Sequence, residues 1–177
     1  MLKKLPFILL LLILNVALAD GASGYKVSEL RGEYLQASKD EQAADRFHKK
    51  MSAYKEKEPL VLAYKAASEA VMAKYVWNPY SKLKQLRASA AIFEEAVALD
   101  ANNPEIRFLR FTVEHYVPRY LNLSAHVEED KRIVINSLKA HPKSGMSVEL
   151  ARTMRDFLLT KDHCTEEERN TLQKIKI

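Results

Sequence analysis

The stretch FEEAVALDANNPEIRFLRFTVEHYVPRY, residues 93–120, contains the end of one predicted helix, a turn and the start of the next helix. Asn103, Pro104 and Glu105 combine a side-chain cap, a proline at the first helical position and an acid in the first turn, which together predict a helix start. The helix that follows carries apolar residues on two faces: Ile106 and Leu109, and Phe108 and Phe111. We therefore expect it to pack between other helices.

Two arginines, Arg107 and Arg110, lie within the same apolar run. A guanidinium that is buried in such a run needs a carboxylate partner. The next predicted helix offers three acidic candidates: Glu128, Glu129 and Asp130. The favoured interpretation is a set of structural ion pairs between the two helices. The alternative is that Arg107 and Arg110 bind an anionic ligand.

Helical periodicity continues on both sides of residues 93–120. Apolar residues recur every three or four positions from Val27 onward, and the chain has only four glycines and little β-branched alternation. The sequence therefore predicts an all-α fold of seven or eight helices, arranged as antiparallel pairs. Ser38 with Glu41 is expected to form a capping box, and Ser124 is expected to cap a later helix. Asn78 is expected to cap the helix that begins at Pro79, and Thr165 with Glu168 is expected to form a capping box at the last helix.

The N-terminal residues 1–19 have the features of a signal peptide. Lys3 and Lys4 precede an apolar run, and Ala17-Leu18-Ala19 fits the small-x-small cleavage rule. We expect cleavage after Ala19, a flexible segment at residues 20–25 and a single helical domain at residues 26–177. A retained anchor is the disfavoured alternative, because the run is shorter than the ~20 residues that span a bilayer. The prediction is a periplasmic or secreted protein with no stable membrane span after cleavage.

Composition and motifs argue against several classes of function. The formal net charge of +5 includes Lys3 and Lys4, so only +3 remains after Ala19, and this mild excess does not indicate nucleic-acid binding. Cys164 is the only cysteine, so no intramolecular disulfide can form. The sequence lacks GxSxG, GxGxxG and GxxxxGK[ST], and its five histidines lack the paired spacing of metal sites. We assign no catalytic residue, no cofactor and no metal.

A proline-tyrosine segment occurs twice. Trp77-Asn78-Pro79-Tyr80 and Val117-Pro118-Arg119-Tyr120 are separated by 40 residues, which suggests two related units of helix, loop and helix. If both loops lie at the same end of adjacent units, Trp77, Tyr80 and Tyr120 together line a binding surface. The favoured alternative is that Trp77 and Tyr80 pack against their own loop.

The segment AVALDANN, residues 96–103, resembles the second-helix end of a tetratricopeptide repeat, with Phe93 and Ala96 at the aromatic and small positions of that family. The segments WNPYSKLKQL, NPEIRFLRF and HVEEDKRIV are similar to those of small exported proteins of Bacteroidetes-type bacteria with tetratricopeptide-like folds. The resemblance implies a short solenoid that binds a protein or peptide partner and no particular reaction. The alternative function is binding of a small ligand or metal in a pocket between helices, near Arg107, Arg110 and His126.

Overall fold

The computed structural model describes residues 24–177, which form eight α-helices and one short 3₁₀ helix, with no strand in that range. The all-α prediction is confirmed. The predicted signal peptide, and residues 20–23 of the segment expected to be flexible, lie outside the described residues. The α-helices are α1 (Val27–Ala37), α2 (Glu41–Ala53), α3 (Pro59–Tyr75), α4 (Pro79–Leu99), α5 (Pro104–Glu114), α6 (Val127–Lys139), α7 (Val148–Leu159) and α8 (Glu166–Gln173). The 3₁₀ helix, Arg119–Leu121, lies between α5 and α6.

Several helix starts follow the predicted chemistry. The side-chain oxygens of Asn78 and Asn103 accept hydrogen bonds from the first backbone N–H groups of α4 and α5, and each asparagine is followed by a proline at the first helical position. Thr165 and Glu168 form the predicted capping box at the start of α8. These caps satisfy N–H groups that have no partner within the helix, so they fix where each helix begins.

Two predicted caps are wrong. Asp40, not Ser38, caps α2, because its carboxylate accepts from the backbone N–H of Ala43 at 2.7 Å, while the Ser38 hydroxyl donates to Leu35 at the end of α1. Ser124 does not cap α6. That helix begins at Val127, and a carboxylate oxygen of Glu114 in α5 accepts from the backbone N–H of His126 at 2.8 Å. A tertiary contact replaces the local cap that the sequence suggested.

Helices α1, α3 and α5 run in the same direction. The Tyr75 hydroxyl at the end of α3 donates to the carbonyl of Ala37 at the end of α1. Arg31 in α1 contacts Glu105 in α5. Tyr34, which comes later in α1, contacts Thr112, which comes later in α5. The connections that leave the C-terminal ends of these three helices therefore lie at one end of the bundle.

Helix α5 lies between two hydrophobic clusters. The first cluster draws on α1 to α5 and includes Ile106 and Leu109. The second draws on α5 to α8 and includes Phe108 and Phe111. The two apolar stripes expected from the sequence thus contact different parts of the core, and the six consecutive residues 106–111 are all buried. No helix among residues 24–177 is long and apolar enough to cross a bilayer.

The two proline-tyrosine segments adopt different structures. Pro79 and Tyr80 lie in the first turn of α4, which is 21 residues long. Tyr120 lies in the 3₁₀ helix, and the next α-helix begins only at Val127. The segments therefore differ in local structure, although both follow the ends of parallel helices.

Candidate functional site

Asp130 is the centre of a buried ionic network between α5 and α6. Its carboxylate is fully buried and accepts from Arg110 Nε at 2.7 Å, Arg110 Nη2 at 2.9 Å and Arg107 Nη1 at 2.9 Å. Both guanidinium groups are also buried. The two arginines are three residues apart on one helix, so both reach the same carboxylate on the facing helix.

Two further donors of these arginines are also occupied. Arg107 Nε donates to the carbonyl of Ala101 at 2.8 Å, and Arg110 Nη1 donates to Glu94 at 3.1 Å. Burial alone would lower the pKa of Arg110, but the hydrogen bond and the charge of Asp130 outweigh it and raise that pKa. Because every nitrogen of the Arg110 guanidinium has an acceptor, this geometry favours the ion-pair interpretation over binding of a free anion.

Glu114 and His126 extend the network to the start of α6. Glu114 lies one turn beyond Arg110, with its Oε1 4.0 Å from Arg110 Nε. The same oxygen is 2.9 Å from His126 Nδ1. A carboxylate oxygen can only accept, so Nδ1 carries the proton in this contact. Glu114 therefore connects an arginine, an imidazole and the backbone at the start of α6.

The three predicted acidic partners differ in position. Asp130 joins both arginines, as described above, while Glu129 lies 3.4 Å from Arg107 Nη1 and is half exposed. Glu128 contacts neither arginine, and its carboxylate is 2.9 Å from Lys131 Nζ. The difference follows from helical geometry, since successive residues point in directions 100° apart and only one can face α5 directly.

Glu105 is a further buried carboxylate, which the sequence patterns did not indicate. It accepts from both Nε and Nη2 of Arg31 at 2.7 Å and from the Tyr64 hydroxyl at 2.7 Å. The hydrogen bond with Glu105 raises the pKa of Arg31, and burial together with the charge of Glu105 raises the pKa of Tyr64. Glu105 therefore connects α1, α3 and α5. Its position in the first turn of α5 gave no sign of this role, because acids there are commonly solvated.

Trp77, Tyr80 and Tyr120 form what we call the aromatic end. Their exposed fractions are 98%, 78% and 81%. The interpretation that Trp77 and Tyr80 pack their own loop is therefore wrong. Trp77 and Tyr80 follow the C-terminal end of α3, and Tyr120 follows that of the parallel helix α5, so all three lie at the same end of the bundle. Arg107 and Arg110, the other two candidate binding residues, are buried instead.

A histidine cluster attaches the α7–α8 connection to the end of α5. His163 is buried, and its ring stacks on Phe157 with centroids 4.5 Å apart. Its Nδ1 is 2.9 Å from the Phe157 carbonyl and its Nε2 is 2.9 Å from the Tyr116 hydroxyl. Since a carbonyl only accepts, Nδ1 carries a proton, and in a neutral ring Nε2 then accepts from the Tyr116 hydroxyl. His115 packs against His163 with ring centroids 4.6 Å apart.

Two of the clefts on the described residues have volumes of about 200 and 240 Å³. The first lies between α6 and α8, the second between α1 and α2, and both are open to solvent. Neither is lined by Arg107, Arg110 or His126. Within residues 24–177, no group of three or more His, Cys, Asp or Glu side chains is arranged to hold a metal ion.

No family model matches this sequence, and neither the search of curated proteins nor that of solved structures finds a match. The class that the structure defines is an all-helical protein whose central helix is bound on both sides by apolar contacts and by buried ion pairs.

We expect Asp130→Asn to lower the free energy of unfolding by about 3–5 kcal/mol, because it leaves two buried guanidinium groups without their shared negative charge. Urea unfolding followed by circular dichroism measures this loss. Glu129→Gln is the matched control, since the half-exposed neighbour should change stability by less than about 1 kcal/mol. Equal effects of the two substitutions would show that the buried carboxylate has no special role.

His115 should make the protein less stable in acid. Burial lowers the pKa of His115, and the nearby His163 and Lys131 add to that shift. The unfolded chain therefore binds a proton at this position more readily, so stability falls as the pH decreases below about 6.5. His115→Gln should lose less stability than the wild type between neutral pH and pH ~5, as measured by thermal unfolding across that range. An identical pH profile for both proteins would contradict this assignment.

Proposed function

We propose that this protein is an exported helical scaffold that binds a protein or peptide partner through the aromatic end. The observation that carries the proposal is the exposure of Trp77, Tyr80 and Tyr120 at one end of the bundle. Large aromatic side chains bury much apolar area when they are covered, and Trp and Tyr are enriched among the residues that dominate binding energy at interfaces. Export rests on the sequence features of residues 1–19.

The buried network supports a scaffold role for the rest of the chain. Arg107, Arg110 and Asp130 satisfy one another inside the protein, so they provide a rigid connection between helices rather than a site for a ligand. The alternative function, a small ligand or metal held near Arg107, Arg110 and His126, has less support, because none of these residues lines either of the two clefts described above. A rigid frame with exposed aromatics lowers the entropic cost of binding a partner.

The test compares two variants of the tagged mature protein. We expect the wild type to retain a partner from the native envelope fraction after cross-linking, and Trp77→Ala/Tyr80→Ala/Tyr120→Ala to lose it. The matched control is Leu99→Ala/Val148→Ala, which removes two exposed apolar side chains away from the aromatic end and should retain the partner.

Circular dichroism and urea unfolding serve as the check on folding. Exposed substitutions of this kind usually change stability by no more than about 0.5 kcal/mol per residue. Mass spectrometry then identifies the retained proteins. Capture of the same proteins by the aromatic variant and the wild type would exclude the aromatic end as the binding surface.

A further inference from the structure

Basic residues flank the aromatic end in the sequence, and most of them form no ion pair with another residue of the range 24–177. No acidic residue occurs between Glu69 and Glu94, whereas the same stretch contains four basic residues: Lys74, Lys82, Lys84 and Arg87. The connection from α5 to α6 is also basic. Between Glu114 and Glu128 it contains Arg119 and no Asp, Glu or Lys. Glu114 itself is buried and engaged with His126.

Most of these cations have no anionic partner. Lys82, Lys84, Arg87 and Arg119 are exposed, and none makes an ion pair with another residue in the range 24–177. Elsewhere on the surface, two exposed lysines lie close to carboxylates. Lys57 lies 2.8 Å from Glu95, and Lys49 lies 2.7 Å from Asp45. The positive charge near Trp77 and Tyr80 is therefore available to an external anion.

Aromatic and basic side chains share one face of α4. Tyr80, Lys84 and Arg87 are exposed and occupy positions i, i+4 and i+7, which lie above one another on an α-helix. At a rise of 1.5 Å per residue, this face extends about 10 Å from Tyr80 to Arg87 along the helix axis. An extended peptide can lie along the whole of this face. A flat surface that approaches the end of the bundle would contact only the part of the face near Tyr80.

We propose that the aromatic end binds an acidic segment of the partner protein, in which apolar side chains cover Trp77 and Tyr80 while carboxylates contact the unpaired cations. This inference rests on the proposed function and specifies its partner. Complementary charge raises the association rate and disfavours basic partners. Apolar contact with the aromatic rings supplies binding energy that salt does not screen.

Trp77 offers a direct measurement, because it is the only tryptophan of the chain and is almost fully exposed. A short peptide of alternating glutamate and leucine serves as the probe, and its lysine-leucine counterpart as the control peptide. We expect the acidic peptide to shift Trp77 emission to shorter wavelength in a saturable manner and to protect it from iodide quenching. The lysine peptide should do neither. Binding should weaken as salt increases from about 0.1 M to about 1 M, where the Debye length falls to about 3 Å.

Charge reversal tests the residues. Lys82→Glu/Lys84→Glu/Arg119→Glu should weaken binding of the acidic peptide at least about tenfold, because it converts three attractions into repulsions. The matched control is Lys139→Glu/Lys143→Glu/Lys174→Glu, which makes the same change in net charge at three exposed lysines away from the aromatic end. The control should bind the peptide as the wild type does.

Three outcomes would overturn the inference. One is an unchanged affinity after charge reversal at the aromatic end, and a second is an equal response to both peptides or to neither. A third is a Trp77 shift with phosphatidylglycerol vesicles but not with the acidic peptide, which would assign the surface to a membrane. If a partner is still lost from the aromatic variant while charge reversal has no effect, the proposed function stands and only the acidic character of the partner is wrong.

Discussion

The carboxylate of Asp130 lies inside the protein, and two guanidinium groups from α5 neutralise it. Removing three charges from water is costly, so this arrangement is stable only while all three groups remain in register. That requirement fixes α6 against α5 in one position. The same helix α5 presents Ile106 and Leu109 to one apolar cluster and Phe108 and Phe111 to the other. The relative placement of both halves of the core therefore depends on this contact.

The proposed binding surface lies apart from the buried charges of the core. Buried charges are paired inside: Asp130 with Arg107 and Arg110, and Glu105 with Arg31. The aromatic end instead leaves its rings and its cations unsatisfied by the described residues. A surface of this kind can change without disturbing the core, since substitutions there remove no buried partner. This separation is what a scaffold with an exchangeable binding surface requires.

Sequence patterns predicted what depends on local chemistry and failed where tertiary contacts decide. The caps at Asn78, Asn103 and Thr165 act within a few residues, and their positions were predicted correctly. The start of α6 was predicted wrongly, because Glu114 of α5 supplies the acceptor for the backbone N–H of His126. Periodicity placed Arg107 and Arg110 at a helix contact but could not single out Asp130. The exposure of Trp77 was mispredicted, because the size of a side chain does not determine whether the fold covers it.

Native-state hydrogen exchange measures most directly whether α5 and its shared carboxylate unite the two halves of the core. If they do, the slowest amides of α3 and α6 will exchange with free energies that agree within about 1 kcal/mol, since both open only when the whole protein unfolds. In Asp130→Asn the free energies of exchange for α3 and for α6 should fall by the same amount. Exchange of α6, α7 and α8 through a separate opening, several kcal/mol below that of α3 in the wild type, would contradict the conclusion that one buried contact holds the structure together.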